Sequence, residues 1–244
     1  MFIFAHFFAG TVLGYVLERY THDISVILFC ITGAILPDLI DKPLGYILLP
    51  QALDSGRTYF HAFFLVVMLI AFVWLFLRQQ GGVWSRRILS LAAGILLHQI
   101  LDTMWYEPVT WFYPVLGPFQ PFHYADYFGT FFWLEITSAS EWIFLAASIL
   151  LLYEIFSTRL DKSSQPVGHF LFRPLYYLIV LLLSILGIHS LFCAMSGVSN
   201  LMAPYIAPEG EVILSLIALS GVIAMVVAFN ENHPECRLSQ KQGY

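Results

Sequence analysis

The 244-residue chain is 59% hydrophobic and only 11% charged, with a formal net charge of −5. A soluble domain carries about 25% charged residues, and the apolar runs here extend from end to end, so a soluble fold is excluded. The acidic balance and the absence of a basic patch able to follow phosphates exclude a nucleic-acid partner.

The expected class is all-α: a polytopic helical membrane protein whose partner is the lipid bilayer. The first residues do not read as a cleavable signal, because no basic segment precedes Phe2-Ile3-Phe4 and no small-residue cleavage site follows. Cys30 and Cys193 lie inside apolar runs and Cys236 in a polar tail, with no C-x-x-C pair. Neither a disulfide framework nor a thiolate zinc site is indicated.

About seven apolar helices are predicted, over residues 2–17, 24–37, 59–77, 87–104, 138–156, 174–196 and 211–229. Pro37, Pro43 and Pro50 are expected to cut the chain after the second stretch into a loop holding the short apolar piece Leu44–Leu49. Residues 105–137 form the longest connection, rich in Trp, Tyr, Phe and Pro. Such aromatic residues favour the headgroup level, either as an interfacial belt or as the wall of a substrate groove. If the stretches alternate, Arg19, Arg78, Arg86, Arg87, Arg159, Lys162, Arg173, Arg237 and Lys241 share one side, against only Lys42 and Arg57 on the other. The positive-inside rule then gives an N-out, C-in protein of the cell membrane.

In that topology His6, Asp38, Asp41, Arg57, His61, His98, Asp102, His123 and Asp126 all fall near the outer face. His22, His169 and His233 fall on the other side, and His189 lies within a span. His98 and Asp102 are four residues apart, which on a helix stacks them on one face. Imidazole and carboxylate in apolar surroundings suit a borderline divalent metal ion, and intramembrane ionisable groups usually mark function. Asp38 and Asp41 are three apart and could project together from a helix end. Arg57 precedes His61 by four, so the two share a face if the third helix starts early enough. Three histidines and three acids suffice for one or two divalent ions, zinc first and manganese as an alternative. A second ion about 3.5–4 Å from the first could clamp both attacking and leaving oxygens. Arg57 suits a bidentate grip on phosphate. Taken singly, His6 and the His98/Asp102 pair also fit interhelical polar contacts, Asp38 a helix terminus, Asp41 a pair with Lys42, Arg57 a lipid headgroup contact, and Glu135 and Glu141 solvated positions.

Gly94-x-x-x-His98-x-x-x-Asp102, Arg57-x-x-x-His61, Gly33-Ala34-Ile35-Leu36-Pro37-Asp38 and His6 together resemble the YdjM-like family of membrane-bound, predicted metal-dependent hydrolases, over roughly residues 1–135. That family is distantly similar to the zinc phospholipase C and single-strand nuclease superfamily of helical phosphoesterases. The resemblance implies His6, Asp38, His61, His98 and Asp102 as metal ligands, with Asp38 as bridging carboxylate. Gly56 stands where the family's Arg-x-x-x-His motif often has a preceding histidine. The superfamily's second His-x-x-x-Glu pair is absent, with His123, Asp126 or Glu135 as its possible substitutes.

The expected organisation is a metal-dependent hydrolase-like helical membrane domain over 1–137, then three further transmembrane helices with a cytoplasmic tail over 138–244. The expected activity is hydrolysis of a phosphate ester of a lipid or lipid-linked substrate at the extracytoplasmic interface, with Asp38, Asp41 and Arg57 as catalytic residues. The rival readings are a transporter for metal ions or small anions, and a non-catalytic membrane protein with a structural metal.

Overall fold

A computed structural model describes residues 3–77, 82–119, 129, 132–157, 169–203 and 206–233, with the side chains of 169–171 left aside. All regular structure among them is helical: α1 (Ile3–Thr21), α2 (Ser25–Pro43) with a π-helical turn Leu44–Leu48, α3 (Phe63–Phe72) with a second such turn Val73–Leu77, and α4 (Val83–Leu101). A 3-10 turn Met104–Tyr106 leads to the short α5 (Pro108–Trp111) and α6 (Phe132–Thr137). The long helices α7 (Ala139–Ser157), α8 (His169–Ser196) and α9 (Pro208–Asn232) follow. The chain divides into two compact units, residues 1–141 and 142–244.

In the first unit α2 is the central helix, packed against both α1 and α4. Small residues set these contacts. A Cβ added to Gly10 would lie 2.7 Å from Ala34 Cβ, and one added to Gly14 would lie 2.7 Å from Ile27 Cα. Residues 10 and 14 thus meet residues 34 and 27, so α1 runs antiparallel to α2. Gly33 and Gly94 face each other, and a Cβ on either would overlap backbone: the Leu91 carbonyl oxygen for Gly33, the Cys30 carbonyl oxygen for Gly94. The Cys30 thiol donates to the Ser90 carbonyl (3.4 Å) along the same seam. Residues 30–34 therefore align with 90–98, and α2 and α4 run parallel. The N-terminal end of α1 and the C-terminal ends of α2 and α4 consequently share one end of the bundle. Asp23 marks the other end, where it caps Ser25 N–H (3.0 Å) and pairs with Arg87 Nε (2.9 Å).

Helix α3 packs on α4 through Val66, Ala92 and Ile95, flanked by Leu36, Phe63 and Leu69. The first backbone N–H groups of a helix have no intrahelical partner, and here carboxylates of the connecting region take two of them. Ile3 N–H donates to Glu135 (2.6 Å) and Phe4 N–H to Glu141 (2.7 Å). Glu141 is buried and Glu135 half-buried, each holding a backbone N–H of α1, so neither is simply solvated.

Three further expectations are corrected. The loop expected after residue 37 begins later: Pro37 and Pro43 lie inside α2, which runs on into its π turn through Leu48, and residues 49–62 are the non-helical connection. Proline removes one intrahelical hydrogen bond, and the packing of α2 between two partner helices offsets that loss. Residues 57–62 precede α3 rather than opening it, with Ala62 extended (φ −77°, ψ 132°). Finally, three described helices, not seven, are long and apolar enough to cross a membrane: Ala139–Ser157, Phe172–Ser196 and Pro208–Asn232, with the shorter apolar Phe63–Leu77 beside them. The 19-residue α1, α2 and α4 are interrupted by buried polar groups, among them His6, Thr11, Asp38, Asp41, His98 and Gln99.

In the second unit α8 packs on α9, with Gly187 against Leu219 and Ala218 and the Tyr176 hydroxyl donating to the Met225 carbonyl (2.7 Å). Asn232 joins α9 to α7 by donating to the Glu154 carbonyl and carboxylate, both at 2.7 Å. Asn200 donates to Ser190 Oγ (2.8 Å) and Glu211 Oε2 (2.7 Å).

The Gly33–Gly94 contact gives the first test. Gly94→Ala places a methyl group against the Cys30 carbonyl oxygen, and overpacking of this kind costs about 1–3 kcal/mol. Thermal unfolding of the detergent-purified variant is expected to start at a clearly lower temperature than wild type. An unchanged melting curve would mean that the two helices are not this close.

Candidate metal centre

At the shared end of α1, α2 and α4, four side chains converge. Asp38 comes from the last turn and a half of α2, His61 from the segment before α3, His98 from the last turn of α4, and Asp102 from its C-terminal cap. One ligand atom from each lies within 4.8 Å of all the others, and all four residues are buried. His61 Nε2 and His98 Nε2 are 3.1 Å apart. Asp38 Oδ1 is 3.7 Å from the first and 3.8 Å from the second. Asp102 Oδ2 is 3.8 Å from His61 Nε2 and 4.0 Å from His98 Nε2. Ligands about 2.0–2.1 Å from a tetrahedral zinc ion are about 3.3 Å from each other. The observed separations fall on either side of that value.

The hydrogen bonds behind the two rings decide what their inner nitrogens are. His98 Nδ1 is 2.7 Å from the Ala34 carbonyl oxygen, which only accepts, so Nδ1 carries the proton. His61 Nδ1 is 2.8 Å from Asp41 Oδ2 and donates to that carboxylate. In the neutral rings both Nε2 atoms are then acceptors, pointing at each other across 3.1 Å. Two lone pairs in that position repel unless a proton on one ring or a cation shared by both relieves them. Asp38 Oδ1 faces the same point and, though buried, has no hydrogen-bond donor among the described residues. Its other oxygen accepts from Lys42 Nζ (2.8 Å), one helical turn on. Burial alone would push the Asp38 carboxyl up, but the Lys42 ammonium beside it holds it well below the usual carboxylate range.

Asp41 takes a different place from the one expected. Its Oδ2 accepts from the backbone N–H groups of Thr58 (2.9 Å), Phe60 (3.0 Å) and His61 (3.1 Å) as well as from the His61 ring. It stands behind His61, gathering residues 58–61 and fixing the ring, as the outer partners of metal-binding histidines commonly do. The considered Asp41–Lys42 pair is not formed, because Lys42 reaches Asp38.

Arg57 shares no helical face with His61, since neither is helical. It nevertheless joins the site: Nη2 donates to Asp102 Oδ2 (3.1 Å) and Nη1 to Glu107 Oε1. Burial works against its charge, but the Asp102 and then the Glu107 carboxylates keep the guanidinium protonated. His6 faces the second oxygen of Asp102 (Nε2–Oδ1 3.2 Å), its ring tilted 30° over His98 at 4.1 Å between centroids. The carboxylate with an oxygen toward each of two histidine groups is therefore Asp102. The second oxygen of Asp38, the bridging carboxylate implied by resemblance, is engaged by Lys42. His123 and Asp126 lie outside the described residues.

Three residues of the site escaped the sequence reading. Lys42 was legible as the i+4 partner of Asp38 once α2 was allowed to continue past Pro37. Gln99 donates to the carbonyls of Ala62 (3.2 Å) and Phe60 (3.4 Å) and accepts from Trp111 Nε1 (3.0 Å), so it holds the carbonyls of the His61 segment while Asp41 holds its N–H groups. Glu107 sits between two short helical turns in an aromatic stretch, where no periodicity marks it.

The model for the YdjM inner membrane protein family matches residues 1–184. The chain belongs to that family. The match takes in the whole metal-centre end of the protein together with α7 and part of α8. Neither a curated protein nor a solved structure matches the chain. With three helices apolar enough to span a bilayer, this YdjM-family chain is a membrane protein.

Asp41→Ala is expected to leave three backbone N–H groups and the His61 ring without their acceptor. A single buried orphan of this kind costs about 1–3 kcal/mol. The variant is expected to melt well below wild type and to show faster proteolysis or hydrogen exchange confined to residues 57–62. Unaltered exchange there would refute the organising role given to Asp41.

Proposed function

We propose that this YdjM-family protein is a membrane-bound metal-dependent hydrolase. Its centre holds a divalent ion on Asp38, His61, His98 and Asp102, and it acts on a phosphate ester of a lipid or lipid-linked molecule at the extracytoplasmic interface. The observation that carries the reading is the pair of imidazole Nε2 atoms aimed at each other across 3.1 Å with both Nδ1 atoms already committed. The surrounding charge agrees. The carboxylates of Asp38, Asp41, Asp102 and Glu107 outnumber the side-chain cations Lys42 and Arg57 that meet them, which favours a bound cation.

Zinc suits the two-imidazole, two-carboxylate donor set, with manganese as the alternative. When bound, such an ion supplies Lewis-acid polarisation of a phosphoryl oxygen and acidifies a water to a pKa of about 7. The rest falls to the chain's own side chains. Asp41 and the Ala34 carbonyl keep the two rings in the tautomer that presents Nε2. His6 and Arg57 hold Asp102 from either side. Arg57, about one-third exposed (34%), is the group available to neutralise charge developing on phosphoryl oxygens. Buried ligands and apolar helices keep bulk water from the centre, which strengthens each of these interactions.

A second reading is favoured by one observation. All four ligand residues are buried, and four protein ligands saturate a tetrahedral ion, as in structural zinc sites. A hydrolase would need a metal held by these residues to keep room for water or substrate beside them. A structural site predicts bound metal without hydrolysis.

Elemental analysis of detergent-purified protein is the decisive first measurement. One to two divalent ions per wild-type chain are expected. His98→Ala should lose most of the metal, and His233→Ala, altered in the second unit, should keep it. Asp41→Asn should weaken metal affinity about 10–100-fold, the usual effect of removing an outer partner. Wild-type protein that neither carries nor takes up zinc, manganese or cobalt would end the metallohydrolase reading. Metal-loaded protein inert toward phosphomonoesters, phosphodiesters and lipid phosphates would leave the structural site in its place.

A further inference from the structure

The guanidinium of Arg57 is shared by two carboxylates of different character. Asp102 is buried and belongs to the candidate metal cluster, whereas Glu107 is 31% exposed and is not a member of that cluster. Glu107 lies at the junction of the Met104–Tyr106 turn and α5 (φ −119°, ψ 60°). Its backbone is fixed there, the N–H donating to the Met104 carbonyl and the carbonyl accepting from Trp111 N–H, both at 2.9 Å, while its side chain makes no capping bond and reaches out to Arg57. Its neighbours Trp105 and Tyr106 are exposed, as are Phe112, Val115 and Leu116 a little further on. The rim around this carboxylate is thus apolar and aromatic.

Charge adds the second argument. With a divalent ion balancing the centre, the positive charge of Arg57 is fully engaged by Asp102 and Glu107, and Lys42 is paired with Asp38. An anionic substrate entering such a site meets no side-chain cation, among the described residues, that is not already paired with a carboxylate. It gains a charge-assisted, bidentate partner only by replacing one of the two carboxylates on Arg57. Asp102 cannot leave without disrupting the centre. Glu107 can, at the rim.

We propose that the Nη1 edge of Arg57 is the phosphoryl subsite of this protein, and that Glu107 is the built-in counter-anion which a phosphoryl oxygen displaces. The proposal rests on the phosphoesterase reading for its role in turnover, but the anion subsite itself stands on the Arg57 geometry. Glu107 then sets selectivity. A weakly basic or singly charged anion competes poorly with a resident carboxylate, whereas a doubly charged phosphate monoester competes well. The apolar rim carrying Trp105 and Tyr106 favours phosphates attached to a hydrophobic group.

The test measures binding of inorganic phosphate to full-length protein in detergent by calorimetry, with metal content determined on the same samples. Glu107→Gln is expected to bind phosphate about tenfold more tightly than wild type with unchanged metal content, and Arg57→Gln to bind it at least tenfold more weakly. Glu107→Ala is expected to bind tightly too, and millimolar formate, refilling the missing carboxylate, should weaken phosphate binding to it but not to wild type. Equal phosphate affinity in wild type and both Glu107 variants, with folding confirmed by melting, would overturn the proposal. So would tight binding that survives Arg57→Gln. If the protein proves metal-free yet Glu107→Gln still gains phosphate affinity, the subsite stands and the metallohydrolase reading alone falls.

Discussion

Everything at the metal-centre end depends on how closely α2 and α4 approach at Gly33 and Gly94. With hydrogen atoms as side chains, the two backbones touch, and the Ala34 carbonyl comes within 2.7 Å of His98 Nδ1. A bulkier pair would hold the helices apart and remove that bond. The rest follows in sequence: the carbonyl fixes the ring, the ring points its other nitrogen at His61, and Asp38, one turn beyond Gly33 and Ala34, faces both. Contacts this close are set by van der Waals fit between small residues.

Several ionisable groups buried in one place carry a large desolvation penalty unless each is paired. The pairing here is nearly complete and directional. Asp41 spends one oxygen on three backbone N–H groups and a ring nitrogen, Asp38 turns one oxygen to Lys42, and Asp102 is held by His6 and Arg57. What remains after these pairs are three acceptors directed at one point, from His61, His98 and Asp38. The arrangement is one that could hold a metal ion, with outer supports for its ligand groups already in place.

The first and second units differ in what their polar groups do. In the second, Glu154 with Asn232, and Asn200 with Ser190 and Glu211, tie helices or loops to their neighbours with donors and acceptors matched. In the first, acceptors outnumber donors at the centre. That imbalance, more than the presence of buried polar residues as such, separates a candidate site from interhelical fastening.

Much of this was legible in the sequence. The composition determined an all-helical membrane protein, and the order His6, Asp38, Arg57, His61, His98, Asp102 determined which groups converge, because alternating helices return the same ends to the same side. Tertiary structure alone decided three things. It carried α2 through Pro37 and Pro43, since packing between two helices outweighs a lost hydrogen bond, and so turned Lys42 toward Asp38. It placed His61 and Arg57 on a non-helical segment, where their spacing of four has no meaning and Asp41 and Gln99 supply the geometry instead. And it brought in Glu107, because a residue between two short turns has no periodicity to betray its direction. Local pattern reports the face of a regular helix; which carboxylate faces the cluster, which stands behind it and which pairs with Arg57 is fixed by contacts between elements far apart in the chain.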